Sequence, residues 1–178
     1  MPRPGCLPLR TVRAVLSEAE QAQTVSREAG THLAAAGLTG PFLRERAHPG
    51  AAIPIRDAHG ELHSWFVPVL MDAQLAGFFR VAPEGRHWSW SSFQRRPDTL
   101  AGSPAANLWL DLEAIRQRAL SQALPNEVAQ TPQLSFDRIP DRLAWRVRLQ
   151  APSGDCRDIF VVGTAVWPAS PEEINSYE

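Results

Sequence analysis

Two stretches of this chain, eighty residues apart, carry the same alternating apolar pattern, and each opens on a tryptophan. Trp65-Phe66-Val67-Pro68-Val69 is answered by Trp145-Arg146-Val147-Arg148-Leu149, and Gly77-Phe78-Phe79-Arg80-Val81 by Arg157-Asp158-Ile159-Phe160-Val161. At that one offset Trp65/Trp145, Val67/Val147, Val69/Leu149, Phe79/Ile159 and Val81/Val161 coincide and share one parity. Side chains alternate across a strand, so these positions line one face of a hairpin in each half. Any two alternating strands match in part at some offset, so the tryptophan pair carries most of the specificity. The pattern predicts an α+β chain of two helix-plus-antiparallel-meander repeats, with helices packed on the sheets.

The elements around those hairpins follow from local signals. Residues 9–16 read as a short strand or the lead-in to a helix. Ser17-Glu18-Ala19-Glu20 fits a capping box, in which Ser and Glu satisfy each other's free backbone donors. Ala19, Ala22, Ser26, Ala29, Leu33 and Ala36 follow at spacings of three and four, which predicts a helix over 18–36 stopped by Gly37. Ala51–Arg56 reads as a strand whose Pro54 suits a sheet edge. A turn at Asp57–Gly60, a strand at 61–70, a tight connection at Met71–Gln74 and a strand at 75–82 complete the first repeat, 9–82. Pro83, Gly85, Pro97, Gly102 and Pro104 mark 83–104 as an irregular link. The second repeat, 105–167, opens with a helix beginning near Pro104 or capped by Asp111. Leu108, Leu112, Ile115 and Ala119 form its apolar face, and Pro125 ends it. Strands are expected at 132–138, 142–150 and 157–167, and 168–178 reads as a polar tail. Arg146, Arg148 and Gln150 alternate with the apolar set, so that strand has one wet face. Phe66, Pro68 and Leu70 fill the second face of the first-half strand, which implies cover on both sides.

This order of elements, with Trp-x-Val-x-Val in a middle strand, resembles the PepSY-like and cystatin-like group of small α+β domains. Leu143–Leu149, the Gly154 turn and Ile159–Gly163 carry the likeness, which covers 105–167 well and 18–82 loosely. The resemblance implies a non-catalytic role, such as peptidase inhibition or restraint, and no shared catalytic residues. Those relatives are mostly exported or membrane-attached, whereas Met1–Pro8 here shows no hydrophobic leader region.

Composition narrows the function classes. Apolar residues make up 44% of the 178, ordinary for a globular chain, and no apolar run approaches the ~20 residues of a membrane span. A cytoplasmic protein with no membrane partner is the expectation. The formal net charge of −1 gives no reason to expect a long polyanion. All eighteen basic residues are arginine; coding bias explains this more simply than phosphate recognition, because they do not cluster. Cys6 and Cys156 match no metal spacing; two free thiols are the expectation, with a bridge between them the alternative.

Two runs invite functional readings. His59, Glu61 and His63 would face one way if they lay on a strand, and two imidazoles with a carboxylate suit a transition metal. The plainer reading is a solvated turn and strand start, and no cofactor is expected. Arg86–Arg96 interleaves aromatic and basic groups: Trp88, Trp90, Phe93, Arg95 and Arg96. Tryptophan and arginine anchor protein contacts, and aromatics stack on single-stranded bases. The same aromatics also serve to cap a core. Gly-x-Ser-x-Gly is absent, and neither cysteine has an activating context. The leading expectation is a non-catalytic binding or regulatory protein that contacts a peptide or protein. The alternatives are a small metal-dependent enzyme and, more weakly, a single-strand nucleic-acid binder.

Overall fold

The computed structural model describes residues 16–35, 40–137 and 142–169. The expectations for 9–15, Cys6, Gly37 and the tail beyond Ala169 lie outside them. Within them the fold is α+β, with four helices and a ten-stranded, mostly antiparallel sheet. The helices are α1 Glu18–Ala34, α2 Pro41–Arg46, α3 Ala106–Leu110 and α4 Leu112–Leu120. The strands are β1 His48–Pro49, β2 Ile53–Arg56, β3 Leu62–Met71, β4 Gln74–Val81 and β5 Trp88–Ser92 in the first half. In the second they are β6 Val128–Ala129, β7 Gln133–Phe136, β8 Leu143–Gln150, β9 Cys156–Val162 and β10 Ala165–Pro168.

Helix α1 starts at the expected capping box. Glu20 N donates to Ser17 Oγ at 3.3 Å, and Ser17 N donates to Glu20 Oε2 at 2.8 Å. Such a cap stabilises a helix start by about 1 kcal/mol. Val25, Ala29 and Leu33 of α1 pack on Trp65, Val67, Val69, Phe79 and Val81. Ile115 and Ala119 of α4 pack with Trp145, Val147, Leu149, Ile159 and Val161. Full burial of each such large apolar side chain contributes roughly 1.5–3 kcal/mol before entropy is counted, so these two faces hold the fold.

One sheet runs through both halves in the order β10-β9-β8-β7-β2-β3-β4-β5. The halves meet at a parallel bridge, Ile55 to Leu134, supported by a 2.7 Å hydrogen bond from Ser135 Oγ to Arg56 O. Three ladders recur at the eighty-residue offset. Pro49 pairs Val69 as Ala129 pairs Leu149; Pro54 pairs Trp65 as Leu134 pairs Trp145; Trp65 pairs Val81 as Trp145 pairs Val161.

The bridge also fixes which way each half faces. Leu134 lies across from Trp145 and shares its face, and Ile55, bridged to Leu134, lies on that face too. Pro54, one residue away, takes the other face, and Trp65 goes with it. Helices α1 and α4 therefore cover opposite sides of the sheet.

Several expectations need correction. Pro54 is not on an edge: β2 lies between β3 and β7, and the proline is tolerated because the contact with β7 is a single bridge. The second helix is two helices. The cap expected at Asp111 is present: its backbone is extended (φ −82°, ψ 98°) and its side chain accepts from Ala114 N at 3.0 Å, starting α4 afresh; α4 ends at Leu120, short of Pro125. The strand expected over 157–167 is a hairpin, turned at Gly163 with φ 58°. The stretch 83–104 is not wholly irregular, because Trp88–Ser92 is a strand. The contrast between halves holds. Ser64–Val69 are buried throughout, whereas Arg148 and Gln150 are exposed and Arg146 is half-buried.

Candidate functional site

Among the described residues, strand β5 forms one border of the sheet and pairs with β4 alone. Phe93 N donates to Ala76 O at 2.9 Å and Ala82 N to His87 O at 3.2 Å, which sets the phase of the ladder. In an antiparallel pair the backbone groups of alternate residues point to the neighbour. Ser89 and Ser91 thus direct their N–H and C=O groups to β4, and Trp88, Trp90 and Ser92 direct theirs outward. Among the described residues, no strand pairs with that outer side. The strand carries neither charge nor proline, the usual guards of an open border.

Among the described residues the opposite border is β10, and it is guarded. Ala169 N donates to Asp158 O at 2.9 Å, so Val166 and Pro168 are its outward residues. Pro168 has no N–H to offer.

The side chains of the expected surface divide between two faces. Trp88 stacks on His32 of α1 (centroids 4.1 Å apart) and meets Phe79 edge-on at 5.5 Å, while its Nε1 donates to Gly85 O at 3.2 Å. Trp90 lies 5.1 Å from Phe79 and over Gly77, where a Cβ would fall 2.4 Å from its Cη2. Phe93 is on the far face, 5.7 Å from Phe78 and 5.6 Å from Trp109. The aromatic groups are thus half-buried caps on two cores. Arg95 and Arg96 are exposed beyond the strand, beside Asp98 and Thr99 in an open cleft.

His59, Glu61 and His63 are not brought together. His59 sits in the turn, where its N–H and that of Glu61 both donate to Asp57 Oδ1 at 2.9 Å. The register of β2 on β3 then skips His63, since Ile55 pairs Ser64 and Arg56 pairs Leu62. This bulge turns His63 out of the alternation that the one-face reading requires. Its ring lies edge-on to Phe136 at 4.9 Å, with Nδ1 3.1 Å from Ser64 Oγ. Burial, and then the nearby Arg80 charge, lower its pKa below the usual histidine value, against a smaller opposing pull from Asp57. Among the described residues, no three His, Cys, Asp or Glu side chains group as a metal site would require.

Sequence reasoning missed a second cleft, at the start of β5, lined by His63, Ser64, Arg80, His87 and Ser89. Arg80 Nε donates to Ser64 Oγ at 3.4 Å, and its guanidinium lies 5.1 Å from the Phe136 ring centre. Its members come from three segments, so no local motif announces it. No described helix is long and apolar enough to cross a membrane. The chain matches no protein-family model, and no curated protein or solved structure is significantly similar to it.

Proposed function

We propose that this chain is a non-catalytic binding protein that takes an extended segment of a peptide or protein partner as an added strand on β5. The observation that carries the reading is the outward row of main-chain groups at Trp88, Trp90 and Ser92, which no other strand among the described residues pairs and which carries no charge or proline. Strand addition draws affinity from main-chain hydrogen bonds and specificity from pockets for alternate side chains. The flanking clefts, one beside Ser89 and one beside Arg95, are candidates for the latter. Peptidase restraint, which the PepSY-like resemblance implies, is one form of this reading.

The test is Ser92→Pro, which gives β5 the device that β10 carries at Pro168. Ser92 points its N–H away from β4, so the ladder with β4 survives the change. Selection from a displayed library of random peptides should enrich sequences on the wild-type chain and not on Ser92→Pro. Recovery of the same peptides by both, with unchanged circular dichroism, refutes strand addition.

The recurrence of three ladders at one offset also supports descent of both halves from a single copied unit, each unit being a helix followed by an antiparallel meander. A chain of two first-half sequences in tandem tests this: it should fold into a monomeric mixed sheet, and an aggregated or unfolded product speaks against it.

A further inference from the structure

We infer that the segment received by β5 is acidic at both ends; this rests on the strand-addition reading above and adds the chemistry of the ligand. The border is bracketed by cations. Before the strand stands Arg86. After it come Arg95 and Arg96. Arg86, Arg95 and Arg96 are exposed, and each lacks an ion pair among the described residues. The carboxylates nearby are Glu84, 3.7 Å from His87 Nε2, and Asp98 in the second cleft. Among the described residues these two carboxylates are fewer than the three exposed arginines Arg86, Arg95 and Arg96. The strand between the brackets, Trp-Ser-Trp-Ser-Ser, is uncharged.

The obvious rival occupant is a second copy of this chain, β5 against β5. Antiparallel pairing centred on Trp90 would set residue 86 opposite residue 94 of the other copy. Arg86 would then approach that copy's Arg95 and Arg96, and like charges across a pair are destabilising. A peptide with acidic ends meets the same groups with opposite charge. At ~3.4 Å per residue the backbone from Arg86 to Arg95 covers about 31 Å and a heptapeptide about 20 Å. Acidic side chains at the peptide's ends and the arginine side chains close the remaining gap of roughly 5 Å on each side.

Three acetylated, amidated heptapeptides serve as probes on the full chain: Glu-Glu-Val-Thr-Val-Glu-Glu, its Gln twin and its Arg twin. A fourth is the acidic peptide N-methylated at alternate residues on its pairing edge. Fluorescence anisotropy should show the acidic peptide binding about tenfold tighter than the Gln twin, with the Arg twin weakest. That preference should vanish in an Arg86→Gln/Arg95→Gln/Arg96→Gln variant and shrink in roughly 0.5 M salt. The N-methylated peptide should not bind. Equal binding of all three charge types, still abolished by N-methylation, refutes acidity and leaves strand addition standing. Undiminished binding of the N-methylated peptide refutes both. Failure of every peptide also overturns the inference. If the chain is then dimeric by light scattering and Ser92→Pro is monomeric, the second copy is the occupant.

Discussion

Trp65 and Trp145 hold matching places in their ladders, opposite Val81 and Val161, yet their indoles lie on opposite sides of one sheet. The parallel bridge between Ile55 and Leu134 is the cause. When the leading strands of two similar meanders pair side by side in the same direction, one meander must turn over relative to the other. Each helix then lies over its own half, on its own side. The far side of each half is left to other cover. In the first half that cover is Phe93 and Trp109; in the second, the corresponding surface carries Arg146, Arg148 and Asp158.

The bridge should join the halves into one unfolding unit. Ile55 is fully buried, and its cluster includes Phe66 from the first half and Trp145 from the second. Ile55→Ala should cost about 2–5 kcal/mol by removing buried methyl groups and leaving a cavity. Chemical denaturation followed by tryptophan emission and by far-ultraviolet circular dichroism should give one coincident transition in both proteins. Separate transitions for the two probes would show that the halves unfold independently.

Gly77 is required by the approach of Trp90. A Cβ there would lie 2.4 Å from Trp90 Cη2 and 2.5 Å from Ser91 O, and the backbone oxygen cannot move aside without loosening β5. Gly77→Ala should destabilise the chain by about 1–3 kcal/mol and shift tryptophan emission to the red as Trp90 leaves Phe79. An unshifted spectrum with unchanged stability would remove this constraint.

Arg118 ties three segments together. Its guanidinium donates to Ala114 O at 3.0 Å, to Leu108 O at 3.0 Å and to Gly163 O, joining α4 to α3 and to the β9–β10 turn. Arg118→Met keeps most of the aliphatic stem and removes the donors. The expected loss is about 2–3 kcal/mol, measured by urea denaturation, because acceptors in a half-buried site are left unsatisfied. Hydrogen exchange should quicken in α3 and at Gly163 before it does in β3.

Acid should expose the Glu127–Arg157 pair. Arg157 bonds both Glu127 oxygens, at 2.8 and 2.7 Å, and also Gln122 O, tying the turn after α4 to β9. The guanidinium holds the Glu127 carboxyl down to about 2, against the opposing effect of burial, with the Leu124 amide assisting. A carboxylate lowered in the folded state contributes stability that is complete above its unfolded value, near 4.5, and lost as pH falls through about 2. Glu127→Gln should flatten the stability–pH curve between those limits. A curve with the wild-type slope would show that the pair does not contribute.

Much of the architecture was legible because long elements carry their own period. Ser17 and Glu20 announced α1, and the alternation through Trp65 and Trp145 located β3 and β8. The joining of β2 to β7 was not legible, since a single bridge between residues 55 and 134 leaves no local pattern. Trp88–Ser92 has the period of a strand, but the prolines and glycines around it argued for a loop. For the candidate site, Trp88, Trp90, Phe93, Arg95 and Arg96 were named by composition. Which face each occupies, and which main-chain groups point outward, depends on the β4–β5 register. The bulge at His63 was equally hidden, and it undoes the one-sided trio with His59 and Glu61.

Pro168 has a consequence for assembly. Copies joined flank to flank into a filament need two receptive flanks per molecule, and here one of them ends in a residue with no proton to give. Among the described residues, the tryptophan-bearing flank is therefore the one whose outward row of N–H groups is unbroken by proline.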